Sequence, residues 1–140
     1  MTYIEFSIRS EHHDLSNITS LIGTEPTYLF KKGEEQIACG KTIIYNDNCW
    51  SIKKEINEIN EEAEIFTFVD FLYCKKDIIK ELTKIHTVYL WITLYPDSYQ
   101  YNLYLSEDIL KMLGEMDIAL NVTSMQLQEL YCGQFRNNTK

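Results

Sequence analysis

Residues 3–9 alternate Tyr3, Glu5, Ser7 and Arg9 with Ile4, Phe6 and Ile8, the two-residue period of a strand with one buried face. Leu15, Ile18, Leu21 and Ile22 then recur at helical spacing. Asp14 is placed to cap that helix, Gly23 to end it and Pro26 to stop its continuation, which predicts a helix of about ten residues. The polar stretch 31–36 around Gly33 reads as a loop, and residues 37–45 read as a strand. Asn46, Asp47 and Asn48 carry turn chemistry, since Asn and Asp tolerate left-handed backbone angles. Residues 49–53, with Trp50 and Ile52, are therefore expected to return as the second arm of a hairpin.

Beyond the hairpin, Ile56, Ile59, Ala63 and Phe66 fall at i, i+3, i+7 and i+10, predicting a helix with an acidic outer face. Residues 65–74 are nearly all apolar and fit helix or strand. The spacing of Ile78, Ile79, Leu82 and Ile85 is helical, with Lys75, Lys76, Lys80 and Lys84 among the outward positions. Residues 55–86 thus read as one long helix or two consecutive ones. A strand is expected over 87–95, a turn at Pro96-Asp97-Ser98, and an alternating strand over 99–105. Ser106 can cap a helix over 107–116, with Glu107 and Asp108 in the first turn where the helix dipole favours them. A last strand over 118–125 completes a single domain of residues 1–132, and 133–140 read as a frayed tail.

Residues 18–29 can be laid over 109–120, bringing Gly23 onto Gly114, each at the end of a short helix that follows a strand. The implied class is α+β: a mainly antiparallel sheet with helices on one face, built from two βαβ-like halves in a loosely ferredoxin-like pseudo-repeat.

Composition narrows the function. The chain carries 13 basic and 21 acidic residues, net −8, and its only arginines are Arg9 and Arg136. Nucleic-acid binders depend on Lys and Arg against phosphates, so nucleic acid is a poor ligand, as is an anionic membrane surface. A basic protein is the natural complement. The N-terminus lacks the basic and apolar regions of a signal peptide, and no segment reaches the roughly 18 apolar residues that span a bilayer. Cys39, Cys49, Cys74 and Cys132 show no CxxC spacing and fit reduced thiols, so a cytoplasmic location is expected.

No catalytic or cofactor-binding pattern emerges. His12 and His13 lie in a polar loop with poor geometry for chelating one metal, and HExxH, GxSxG and phosphate-loop patterns are absent. His86 ends a helix, where the dipole favours a cation. Cys74, beside Tyr73 in an apolar run, reads as a buried inert thiol. No metal, cofactor or enzymatic activity is expected.

What remains is the acidic run Glu55, Glu58, Glu61, Glu62 and Glu64, which is either a helix entry or a docking surface for lysine- and arginine-rich groups. Aromatic anchors would have to accompany docking, and Tyr95, Tyr99, Tyr101, Tyr104 and Trp50 are candidates; Trp50 and Trp91, in strands, fit core packing better. The helix ending in Gly23-x-x-Pro26, the following strand with Trp50-Ser51, Leu105-Ser106 and Leu113-Gly114 together resemble a bacterial family, domain of unknown function 4279, over nearly the whole chain. That resemblance implies a compact α+β domain and brings no catalytic residues. By size and charge the chain is also similar to immunity proteins. The leading expectation is accordingly an immunity protein for a basic toxin, often a nuclease; the alternative is a small-molecule-binding or regulatory domain with a tyrosine-lined pocket.

Overall fold

The computed structural model describes residues 1–98 and 100–125. These residues form seven strands and four α-helices, in the order β1 (Thr2–Ser10), α1 (Ile18–Ile22), β2 (Tyr28–Phe30), β3 (Glu35–Ala38), β4 (Lys41–Ile44), β5 (Asn48–Ile56), α2 (Glu61–Tyr73), α3 (Lys76–Ile85), β6 (Thr87–Leu94), α4 (Glu107–Glu115) and β7 (Ala119–Ser124). Five strands form one sheet in the order β2-β5-β1-β6-β7, and β3 pairs with β4 as a separate hairpin. All pairs are antiparallel except β6 with β7. The expected α+β class with a mainly antiparallel sheet is the architecture found.

Alternation on β1 decides which sheet face is covered. Ile4, Phe6 and Ile8 are fully buried and join Trp50 and Ile56 of β5 and Leu90 and Ile92 of β6 in one core. Against them pack Ile18 and Ile22 of α1, Ile65, Val69 and Leu72 of α2, Ile79 of α3, and Ile109 and Leu113 of α4. All four helices therefore lie on one face. The opposite face carries Tyr3, Glu5, Ser7 and Arg9 of β1 and their cross-strand neighbours, and no described helix covers it.

The two halves echo one another in topology. β2 and β1 both run antiparallel to β5, so they are parallel to each other with β5 inserted between, a split βαβ unit through α1. The second unit, β6-α4-β7, is an adjacent parallel pair. The superposed positions agree in burial: Ile18 with Ile109, and Ile22 with Leu113, all lie in the core.

Their helix ends differ. Gly23 terminates α1 at φ 80°, as expected, whereas Gly114 lies inside α4. Asp117 takes the left-handed position there at φ 59°. The Asp117 N–H bonds the Gly114 carbonyl and the Ile118 N–H bonds the Leu113 carbonyl, each at 3.1 Å, a Schellman closure with Ile118 and Leu113 both buried. Because an L-residue in this conformation costs about 1 kcal/mol that glycine avoids, Asp117→Gly is expected to stabilise the protein by up to about 1 kcal/mol. A rise in the urea midpoint without a change of slope would show it.

Several local expectations are corrected. The first helix is five residues long, with Asn17 at its N-cap position, while Asp14 Oδ1 accepts the Ser16 N–H at 3.0 Å in a turn ahead of it. The strand expected over 37–45 is broken at Cys39 and Gly40, both at positive φ (55° and 72°), which turn β3 back onto β4. The hairpin to residues 49–53 does not form; β5 pairs with β1 and β2 instead. Residues 101–105 alternate in exposure without strand pairing, their odd members resting on the core. The supposed apolar stripe fails too: Ile56 belongs to β5 and is buried, Ile59 and Phe66 point outward, and α2 buries Ile65, Phe68, Val69 and Leu72. The tail expectation for 133–140 lies outside the described residues.

Candidate functional site

The acidic run sits where β5 leaves the sheet and the chain must reverse into α2. Asn57 makes the corner. Its side chain accepts the Ile59 N–H at 2.9 Å, and its own N–H donates to the Glu64 carboxylate. This reciprocal cap shapes the single 3-10 turn Glu58–Asn60 and projects Ile59 into solvent. Ile59 is 88% exposed, more than any other exposed large hydrophobic residue among those described.

Two shallow grooves meet at Ile59. One is lined by Met1, Glu55, Asn57, Glu58 and Glu64, the other by Glu61, Glu62, Ala63, Phe66 and Asp108. Six carboxylates thus surround an apolar tip, and the only cation lining either groove is the Met1 ammonium, which is paired with Glu58. Glu61 accepts from the Tyr101 hydroxyl and from Thr2 Oγ1 (3.1 Å), and Glu64 from the Asn57 N–H. These donors are neutral, so they fix the carboxylates without cancelling their charge. Glu55 and Glu62 are exposed and make no hydrogen bond or ion pair.

The predicted glutamates therefore converge; the predicted aromatics do not. Tyr101 turns inward to Glu61 and Thr2, and burial, helped by that carboxylate, raises its phenol above the usual range. Tyr95 packs edge-on against Tyr3 at 6.0 Å, Trp50 is fully buried, and Tyr104 is exposed. Tyr99 lies outside the described residues. Asp108 was missed as a member of the rim. Its place at the start of α4 was legible, and the packing of α4 on α2 was not.

The remaining reactive side chains are placed as follows. Cys74 is exposed, correcting the buried reading, because it follows the last turn of α2; among the described residues the buried thiol is Cys49, whose pKa burial raises, and Cys39 is disulfide-bonded, against the expectation of reduced thiols. Trp91 lies on the open face, its indole N–H donating to Thr123 Oγ1 at 2.8 Å, not in the helix-side core. Among the described residues no group of three His, Cys, Asp or Glu side chains could hold a metal, and no helix is long and apolar enough to cross a membrane.

His86 reverses its expected electrostatics. Its ring packs edge-on against His13 at 5.4 Å, and burial, then the charge of His13, lower its pKa. As pH falls through about 6.5, the unfolded chain takes the proton before the folded one, so stability is lost on acidification from that point. His86→Gln is expected to remove this slope, seen by comparing urea midpoints of both proteins at about pH 7.5 and about pH 5.5. Equal slopes would contradict the assignment.

Helices on one sheet face and a mainly antiparallel sheet bare on the other make this an α+β domain with a carboxylate-ringed corner. The chain belongs to the family described as Domain of unknown function (DUF4279), which matches residues 1–127. No curated protein and no solved structure matches it.

Proposed function

We propose that this chain is a non-catalytic binding protein that docks a basic protein on the corner formed by Ile59 and its surrounding carboxylates. One observation carries the reading: among the described residues, the most exposed large apolar side chain stands where two acid-lined grooves meet. A lone exposed isoleucine is ordinary, but an apolar centre inside a charged rim has the anatomy of an interface. The net charge of −8 adds a long-range field that accelerates encounter with a cationic partner.

At finer grain, we read the partner as a toxin, a nuclease for example, with this chain as its immunity protein. Carboxylates held by neutral donors imitate the phosphates of the toxin's substrate, and the grooves flanking Ile59 admit lysine and arginine side chains.

The test begins with the immobilised chain at low salt in a lysate of its own host. The reading requires a basic captured protein that, purified alone, is inhibited by this chain and released as salt rises from about 50 mM to about 500 mM. Capture of a neutral or acidic protein, or a partner that stays fully active when bound, would overturn it.

A further inference from the structure

The open face of the sheet contains a depression that the acidic corner does not use. Three neighbouring positions at its centre are small: Ser7 on β1 faces Ser51 on β5, and Cys49 lies two residues away beside Arg9. All three are buried, at 0%, 1% and 4% exposure, although no described helix covers this face. Larger side chains rise around them. On one side stand Tyr28 and Phe30 of β2, with Tyr45 stacked on Phe30 at 4.3 Å and 12°. On the other stand Glu5 and Arg9, with Lys53 across from Glu5. The cleft they enclose has a volume of ≈ 300 Å³, the lower end of the range for small-molecule sites.

The charges in this cleft are not consumed internally. Glu5 makes no hydrogen bond and no ion pair, and Lys53 is drawn over the Tyr3 ring, 4.9 Å from its centre. Burial raises the Glu5 carboxyl above its usual range, against the opposing pull of Lys53 and Arg9. Arg9 touches Asp47 only at 3.7 Å, and its Nε is buried with no acceptor. The Glu5 carboxylate thus has no direct contact with a cation, and Arg9, beside its Asp47 contact, keeps a buried Nε–H without an acceptor. With Glu5 and Asp47 against Arg9 and Lys53, the local charge balances on a protein that is otherwise strongly acidic, which favours neither a bare anion nor a bare cation.

We infer that this cleft binds a short zwitterionic peptide of about two residues, its ammonium on Glu5, its carboxylate on Arg9 and an apolar side chain against Phe30 and Tyr28. Length supports the match. Glu5 and Arg9 lie four residues apart on one strand face, about 13 Å between Cα atoms. An extended dipeptide spans roughly 7 Å between its termini, and the two side chains, reaching in from either end of that separation, make up the difference. The pairing would satisfy the Glu5 carboxylate and the Arg9 Nε–H at once.

Calorimetric titration with Ala-Phe, N-acetyl-Ala-Phe, Ala-Phe amide and free phenylalanine tests the inference. Saturable binding of Ala-Phe is expected, weakened about tenfold or more by blocking either terminus, or by Glu5→Gln or Arg9→Gln, because each change strands a charged partner. Glu5→Gln serves as its own folding control: removing a half-buried carboxylate that makes no side-chain hydrogen bond should raise stability at neutral pH and leave it unchanged in acid, where the carboxyl is protonated. Absence of Ala-Phe binding to the native protein, or equal affinity for the blocked peptides, would overturn the inference. Glu55→Gln/Glu62→Gln should leave dipeptide affinity unaltered, so failure here is separable from failure of the acidic corner.

Discussion

Trp50→Ala is expected to cost about 3–5 kcal/mol of folding stability, a large part of the roughly 5–15 kcal/mol that holds such a domain together. Trp50 is fully buried, meets Phe6 edge-on at 6.4 Å and 81°, and donates its indole N–H to Thr19 Oγ1 at 3.1 Å. It therefore ties β5 to α1. A five-residue helix cannot hold itself in water, so α1 depends on that tie. The same substitution should raise amide exchange across residues 17–23 beyond the global change. Trp50→Phe keeps most of the packing and loses the hydrogen bond, for about 1–2 kcal/mol. Urea denaturation of the three proteins checks the order, and a loss below about 1 kcal/mol for Trp50→Ala would contradict the packing.

At the binding surface the largest effect belongs to Ile59. Ile59→Ala should weaken the basic partner by about 2 kcal/mol, roughly thirtyfold, if this side chain is the buried centre of the complex. Glu55→Gln/Glu62→Gln should act differently. Those side chains form the exposed rim, so their removal should slow association and flatten the salt dependence more than it speeds dissociation. Neither change touches the fold, and both should leave stability within about 0.5 kcal/mol. Surface plasmon resonance at two salt concentrations separates these contributions. Unchanged affinity for Ile59→Ala would remove the site from consideration.

Where local physics decides, the sequence was readable. The alternation in β1, the strand at β6, the left-handed stop at Gly23 and the Ser106 cap, whose Oγ accepts from the Ile109 N–H, follow from residue chemistry alone. Cys39-Gly40 was misread because cysteine seldom takes positive φ, and Asn46-Asp47-Asn48 offered a stronger turn signal nearby. That choice joined the wrong strands. The partners of β5 are β2 and, along its whole length, β1, whose Ser7 faces Ser51 from more than 40 residues upstream, and no periodicity carries such a pairing.

The candidate site divides in the same way. The glutamates were found as a run, yet their meaning depended on Asn57. Once Ile56 is assigned to β5 and Asn57 caps the corner, the residue assigned to the core, Ile59, becomes the exposed tip. Tyr101 went the other way, because the Glu61 and Thr2 groups that hold it inward come from distant segments. The cleft on the open face was not legible at all: Ser7, Cys49 and Ser51 become one floor only when β1 and β5 pair in register.

Hydrogen–deuterium exchange of the chain, free and saturated with its captured partner, tests the central claim most directly. The account predicts protection concentrated in residues 55–66 and at the start of α4 near Asp108, with little change on β1 or β6. Protection centred elsewhere, with residues 55–66 exchanging as in the free chain, would contradict it.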